Sequence, residues 1–187
     1  MPESDEATRK LLLCIARGDD LAMQRLYEQE RGPLMRLFTG LSGCRSQAED
    51  LLQGTFLSLW KFRANYQGRG KAGAYIYKVA MNQWRGSFAR ERRQQETWEQ
   101  MTPDWQESYQ ENPGARLELG ELKQSVWNGI RSLPLPQREV FLLHRFCGLS
   151  CPKVAEATGV NLKTVESRLR LALRKMVEML QVRESQP

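Results

Sequence analysis

The stretch from Leu149 to Leu169 leaves this chain little choice of local fold. Ser150 is placed to cap a short helix, with Pro152 in the first turn, where its missing N–H has no partner to lose. Gly159 then supplies a left-handed exit. A second helix starts at once from Asn161. Leu162, Val165, Leu169, Ala172 and Met176 recur along it at helical spacing, so one stripe is expected to pack on the first helix, where small Ala155 permits a close crossing. The opposite face carries Lys163, Ser167, Arg170 and Arg174, with Thr164 and Arg168 beside them. Two short helices joined by a glycine turn, the second with a basic outer face, are suited to a DNA major groove. The competing reading is a helical hairpin with a solvated basic face. The small residue, the glycine and the buried valine stand at the spacing a helix-turn-helix requires, which favours DNA binding.

A chain of 187 residues with 41% hydrophobic content suits one or two small domains. No apolar run approaches the roughly 20 residues that span a bilayer. The N-terminus, Met1 to Lys10, is acidic and polar, unlike a signal peptide, so a cytoplasmic location and no membrane insertion are expected. Cys14, Cys44, Cys147 and Cys151 form no disulfide framework, and His144 adds only one further potential ligand near Cys147 and Cys151. These read as buried or incidental thiols, and neither a cofactor nor a metal is expected.

Charge is segregated along the chain. Residues 1–93 hold 16 Lys/Arg against 10 Asp/Glu, residues 94–131 hold 3 against 7, and residues 132–187 hold 9 against 5. Two basic bodies therefore flank an acidic connector, an arrangement that can hold a polyanion at two places.

A first helix is expected from about Ser4 to Arg17, ended by Gly18. A second is capped by Asp19 or Asp20, and a third is opened by Pro33, with Leu34, Leu37 and Phe38. Ser46 through Glu49 reads as a capping box for a fourth helix, with Asp50 in its first turn. That helix carries Leu51, Leu52, Thr55, Phe56, Leu59 and Trp60, a wider apolar band than one core face needs, so part of it is assigned to a partner protein. A loop from Tyr66 to Lys71 follows, basic and glycine-punctuated. A long helix then runs from about Ala72 to Arg93, with Ala72, Ile76, Val79, Ala80 and Gln83 inward and Lys78, Asn82 and Arg85 on the opposite stripe. From Lys61 to Arg93 there are nine Lys/Arg and one acidic residue, interleaved with aromatics, as in grooves that bind unpaired bases. Residues 94–115 read as an acidic flexible linker. The fold class is thus all-α: two small helical domains at 1–93 and 116–187, joined by that linker.

Two motif blocks carry a family resemblance. Ala48 to Leu57 with Trp60, followed by Tyr75 to Asn82, closely resemble region 2 of bacterial sigma factors of the extracytoplasmic-function group. Leu133-Pro134 through Glu139-Val140, then Gly148 to Ser150 and Thr164 to Leu169, look like region 4 of the same group. The resemblance implies that Asp50, Leu51, Gln53, Phe56 and Trp60 dock on the clamp helices of the largest RNA polymerase subunit. It implies that Tyr66, Gln67, Gly68, Arg69 and Lys71, with Lys78, Asn82 and Arg85, melt the −10 promoter element and hold a flipped base. It implies that Lys163, Thr164, Ser167, Arg168, Arg170 and Arg174 bind the −35 element. The partners it implies are core polymerase and promoter DNA, with an anti-sigma factor as an optional third. Gly54, Tyr75, Leu171 and Leu173 depart from the residues usual in the family.

The function implied is promoter recognition and transcription initiation, without enzymatic activity, since no catalytic constellation is visible. The alternative is a free-standing helix-turn-helix regulator that never engages polymerase. A nucleic-acid-processing enzyme is a weaker third. The apolar band from Asp50 to Trp60 separates the first two, because a regulator has no reason to expose it.

Overall fold

A computed structural model describes the backbone of residues 2–97 and 117–184, and the side chains of residues 5–90 and 124–179. The expected linker at 94–115, with Trp98 and Trp105, lies almost wholly outside the described residues. Helices α1 (Pro2–Ala16), α2 (Asp20–Ser42), α3 (Arg45–Lys61) and α4 (Ala72–Thr97) make an N-terminal bundle. Helices α5 (Leu117–Ser132), α6 (Leu135–Arg145), α7 (Cys151–Thr158) and α8 (Leu162–Glu184) make a C-terminal unit. Among the described residues no helix is long and apolar enough to cross a membrane.

The bundle follows its apolar spacing. Leu12 and Ile15 of α1, Leu26, Leu34, Leu37 and Phe38 of α2, Leu51, Leu52 and Leu59 of α3, and Ile76, Ala80, Met81 and Trp84 of α4 are buried together. Asp19 caps α2 by accepting a hydrogen bond from the Ala22 N–H at 3.0 Å.

Two expected boundaries are corrected. Pro33 does not open a helix but sits inside the continuous α2. Proline constrains the residue before it partly through that residue's Cβ, and here the residue is Gly32, which has none. The capping box does not form either. Helix α2 exits through Gly43 (φ 74°), whose N–H bonds the Thr39 carbonyl, and α3 begins two residues later with Cys44 at the N-cap. That short connection starts the helix before Ser46. Glu49, instead of reaching back, pairs with Arg45 at 3.0 Å, and Asp50 falls beyond the first turn.

The two bodies pack directly on one another, and their buried apolar residues join in one core. Helix α4 lies along α7, and α2 lies against α5 and α6. At Gly40 of α2 the approach is so close that an added Cβ would come within 2.7 Å of Leu142 and 3.1 Å of Trp127.

Candidate nucleic-acid interface

Helices α7 and α8 meet as their sequence dictates. Val154 and Ala157 of α7 are buried with Val165, Leu169, Ala172 and Met176 of α8. Gly159 takes the left-handed conformation (φ 71°), its N–H bonding the Ala155 carbonyl at 2.9 Å. Asn161 accepts from the Lys163 N–H at 2.9 Å, which starts α8. Leu162 is the exception to the expected stripe: it opens α8 at the turn and is 39% exposed. On the far face Lys163, Thr164, Arg170 and Arg174 are exposed, while Ser167 and Arg168 are half-buried. Arg174 lies 3.7 Å from Glu178 on the exposed surface, a pairing too solvated to hold it from another anion.

The basic loop is less open than expected. Gln67 and Arg69 are exposed, and Gly68 and Lys71 half-buried. Tyr66, expected as a stacking face, is only 7% exposed and lies 4.9 Å from the Tyr75 ring, tilted against it. Its hydroxyl is buried with no hydrogen-bond partner among the described residues. The reason is tertiary. Helix α1 closes over the loop, with Arg9 donating to the Gly70 carbonyl at 3.2 Å. Along α4, Lys78 and Asn82 are exposed as expected. Arg85 is not free: it donates to the Thr158 carbonyl at 3.2 Å and lies 3.6 Å from Glu139, both in the C-terminal unit.

The band on α3 divides. Leu51 is buried and cannot meet a partner, and Phe56, 8% exposed, packs edge-on against Tyr27 at 4.9 Å. Asp50 and Gln53 are exposed, and Trp60 is half-buried with the Arg63 guanidinium 4.3 Å above its ring. Leu57, which the sequence reading passed over, is 61% exposed. Tyr27 and Met35 of α2 with Leu52, Phe56, Leu57 and Trp60 of α3 line an open, mostly apolar groove of about 760 Å³. Its α2 wall could have been found only by knowing that α2 lies beside α3.

Residues 26–94 match the family model for sigma-70 region 2, and residues 123–176 match that for sigma-70 region 4. The RNA polymerase sigma factor NccH of Alcaligenes xylosoxydans xylosoxydans is 27% identical over 96% of this chain and 96% of its own. The ECF RNA polymerase sigma factor EcfG of Rhodopseudomonas palustris is 28% identical over 80% of this chain and 81% of its own.

This chain is an extracytoplasmic-function sigma factor of the sigma-70 family.

The fold agrees. CnrH, solved in complex with the cytosolic domain of CnrY, superposes with a TM-score of 0.70 at 22% identity, covering 94% of this chain and 98% of CnrH. The N-terminal bundle of this sigma factor holds region 2 and the C-terminal unit holds region 4.

Electrostatics concentrate where the regions meet. Asp5 accepts from Lys153 at 2.6 Å and from the Gly73 N–H at 3.2 Å. Burial alone would raise its pKa, but Lys153 and the Gly73 and Ala72 N–H groups outweigh it and hold the carboxyl below its ordinary value. Burial raises the pKa of Glu139 in spite of Arg85, Arg168 and Trp84 beside it. Burial likewise raises Glu30, whose carboxylate accepts from the Tyr77 hydroxyl at 2.7 Å. Cys147, in the same seam, is pushed up to about 12 by burial, which leaves its thiol protonated and unreactive. No local sequence signal marks these residues, because Asp5 and Lys153 are 148 positions apart.

Proposed function

We propose that this sigma factor is the promoter-specificity subunit of a bacterial RNA polymerase, working in the cytoplasm as a binding factor and not as a catalyst. The observation that carries the reading is the pairing, on one chain, of an apolar groove in region 2 with a basic recognition helix in region 4. A regulator that bound DNA alone would have use for the second and none for the first.

In this reading Gln53, Leu57, Phe56 and Trp60 present the groove wall to the clamp helices of core polymerase, with Asp50 at its edge; Leu51 supports them from inside. Lys163, Thr164, Ser167 and Arg168, at the start of α8, reach base edges of the −35 element. Arg170 and Arg174 anchor on phosphates, since contacts farther along such a helix fall on the backbone. Gln67, Gly68, Arg69 and Lys71 with Lys78 and Asn82 face the −10 element, and Tyr66 and Arg85 join them once released from their present partners. Residues 1–93 and 116–187 are the two functional bodies and 94–115 the connector. An anti-sigma factor is a further proposed partner.

Run-off transcription with purified core polymerase tests this. Promoter-directed transcripts that depend on the chain support the reading. Duplex binding by the free chain without any such transcript would instead indicate a free-standing regulator.

A further inference from the structure

Helix α1 meets the basic loop through one stripe of its surface. Asp5, Arg9 and Leu13 are four residues apart, so successive turns bring them onto one face. Each lies against a glycine, in reverse chain order. Asp5 accepts from the Gly73 N–H at 3.2 Å, Arg9 donates to the Gly70 carbonyl at 3.2 Å, and Leu13 Cδ2 lies 3.5 Å from where a Gly68 Cβ would stand. The core face of α1, with Leu12 and Ile15, is a separate stripe, so loss of these contacts leaves the helix anchored.

The loop needs support from outside. Gly68 and Gly70 both take positive φ, at 70° and 74°, and glycine loses more conformational freedom on ordering than any other residue. A segment holding Gly68, Gly70 and Gly73 has little of its own to keep one shape. Arg69 stands between two gripped glycines, and its exposed side chain leaves the loop in the direction they set. Arg9 also gives something up. Its Nε is buried without a hydrogen-bond partner, with Glu6 3.9 Å away and beyond hydrogen-bond reach, while its Nη2 keeps the Gly70 carbonyl. A polar atom left unpaired to preserve one contact points to a contact kept for function. The match to sigma-70 region 2 begins at residue 26, so the whole stripe lies outside it.

We propose that the stripe of Asp5, Arg9 and Leu13 is the template for the loop that reads the −10 element, with Arg9 a positioning residue that sets base preference there without touching DNA. This rests on the reading of the Tyr66–Lys71 loop as the −10 reader. The stripe fixes the backbone from Gly68 to Gly73, and the side chains of Gln67 and Arg69 supply the contacts. A loop released from it samples shapes that hold DNA without base preference, so affinity for the cognate base falls towards that for a substituted one.

Holoenzymes carrying Arg9→Ala or Leu13→Ala test the template; Asp5 is spared because it also holds Lys153. Binding is measured to promoter fragments with a double-stranded −35 element and a single-stranded non-template −10 element, cognate or with one base substituted, at two salt concentrations. If the released loop is competent about a tenth of the time, preference for the cognate −10 base drops about tenfold in Arg9→Ala and by a smaller factor in Leu13→Ala. Preference at the −35 element should not change, and neither should the salt slope, because Arg9 holds a carbonyl and not a phosphate. Circular dichroism verifies folding. Leu13 is 38% exposed, so if Arg9→Ala does not fold, Leu13→Ala decides. Unchanged −10 preference in the folded variants overturns the template. So does a salt slope reduced by about one in Arg9→Ala, which would put Arg9 on a DNA phosphate, and so does an equal loss of preference at the −35 element. A double variant, Gln67→Ala with Arg69→Ala, separates this inference from the reading beneath it. If that variant keeps wild-type −10 affinity and preference, the loop is not the reader and the template falls with it. If it loses them while Arg9→Ala and Leu13→Ala do not, only the template falls.

Discussion

Region 4 presents the face proposed for DNA ready-made, whereas region 2 keeps part of its proposed face in use elsewhere. In α8 the buried stripe and the basic face are on opposite sides of one helix, so packing Val165, Leu169 and Ala172 inward turns Lys163, Thr164 and Arg170 outward. In region 2 the loop aromatic Tyr66 is inside, Arg85 is tied to Glu139 and Thr158, and only Lys78 and Asn82 of the stripe stand clear. The difference matches the two targets proposed for them. A duplex groove is rigid and rewards a rigid helix; an unpaired strand must be captured as it forms and rewards groups that change partners.

The largest effect expected from this comparison falls in region 2. Phe56→Ala removes a nearly buried ring that packs on Tyr27 and should cost about 3–5 kcal/mol of stability, as core aromatic truncations do. Denaturant unfolding checks it. A loss below about 1 kcal/mol, with weaker co-elution with polymerase, would mean that the ring serves the groove and not the core. Leu162→Ala in region 4, at a more exposed position, should stay within about 0.5 kcal/mol.

Next come the recognition-helix contacts. Lys163→Ala or Arg168→Ala in the holoenzyme should cost about 1–3 kcal/mol on the cognate upstream element and relax preference at one position. Arg170→Ala and Arg174→Ala should instead weaken all sequences alike and reduce the salt slope by about one. A library of upstream elements at two salt concentrations reads both. If Arg174→Ala changes base preference, the helix enters the groove in another orientation.

A smaller change, of opposite sign, is expected at Gly54 in α3. An added Cβ would meet only the Gln83 side chain, at an ordinary 3.4 Å. Gly54→Ala should therefore raise stability by about 1 kcal/mol through helix propensity. An unchanged or lower melting temperature would point to a close approach that the partner-free chain does not show.

The mildest effect concerns pH. Glu30 and Glu139 have carboxyl pKa values raised above the ordinary 4.5, so between that value and the raised ones the folded chain binds more protons than the unfolded chain. Their contribution is full below 4.5 and is lost as pH rises through the raised values. Asp5 runs the other way, its stabilisation disappearing only as pH falls below 3.8. Mild acidification from pH 7 towards pH 5 should thus raise stability slightly, and Glu30→Gln with Glu139→Gln should flatten that slope in thermal melts.

Helix content and most of the α7–α8 unit were legible in the sequence, because glycine exits and apolar spacing are local; the exceptions are Leu162, which is exposed, and Ser150, whose side chain makes no cap hydrogen bond. What was not legible was a choice between two locally allowed options, or a contact between residues distant in the chain. Nothing near Pro33 in residue type distinguishes a helix start from a helix interior until Gly32 is seen to relieve the ring. Glu49 could serve Ser46 or Arg45, and the two-residue connection from α2 chose Arg45. Leu51 and Leu57 are equally apolar in sequence, yet one is core and the other the open wall of the groove. The seam through Asp5, Glu139 and Lys153 was invisible, since its partners come from opposite ends of the chain.

The silent hydroxyl of Tyr66 has an implication of its own. A buried phenol without a hydrogen-bond partner forfeits about 1–3 kcal/mol, so the Tyr66–Lys71 loop rests in a locally frustrated basin. A ligand that offers this hydroxyl an acceptor while keeping the ring covered recovers that amount. A buried polar atom left unpaired in the free fold therefore lies in the loop proposed to meet melted DNA. There, frustration lowers the threshold for rearrangement before a single new contact has formed.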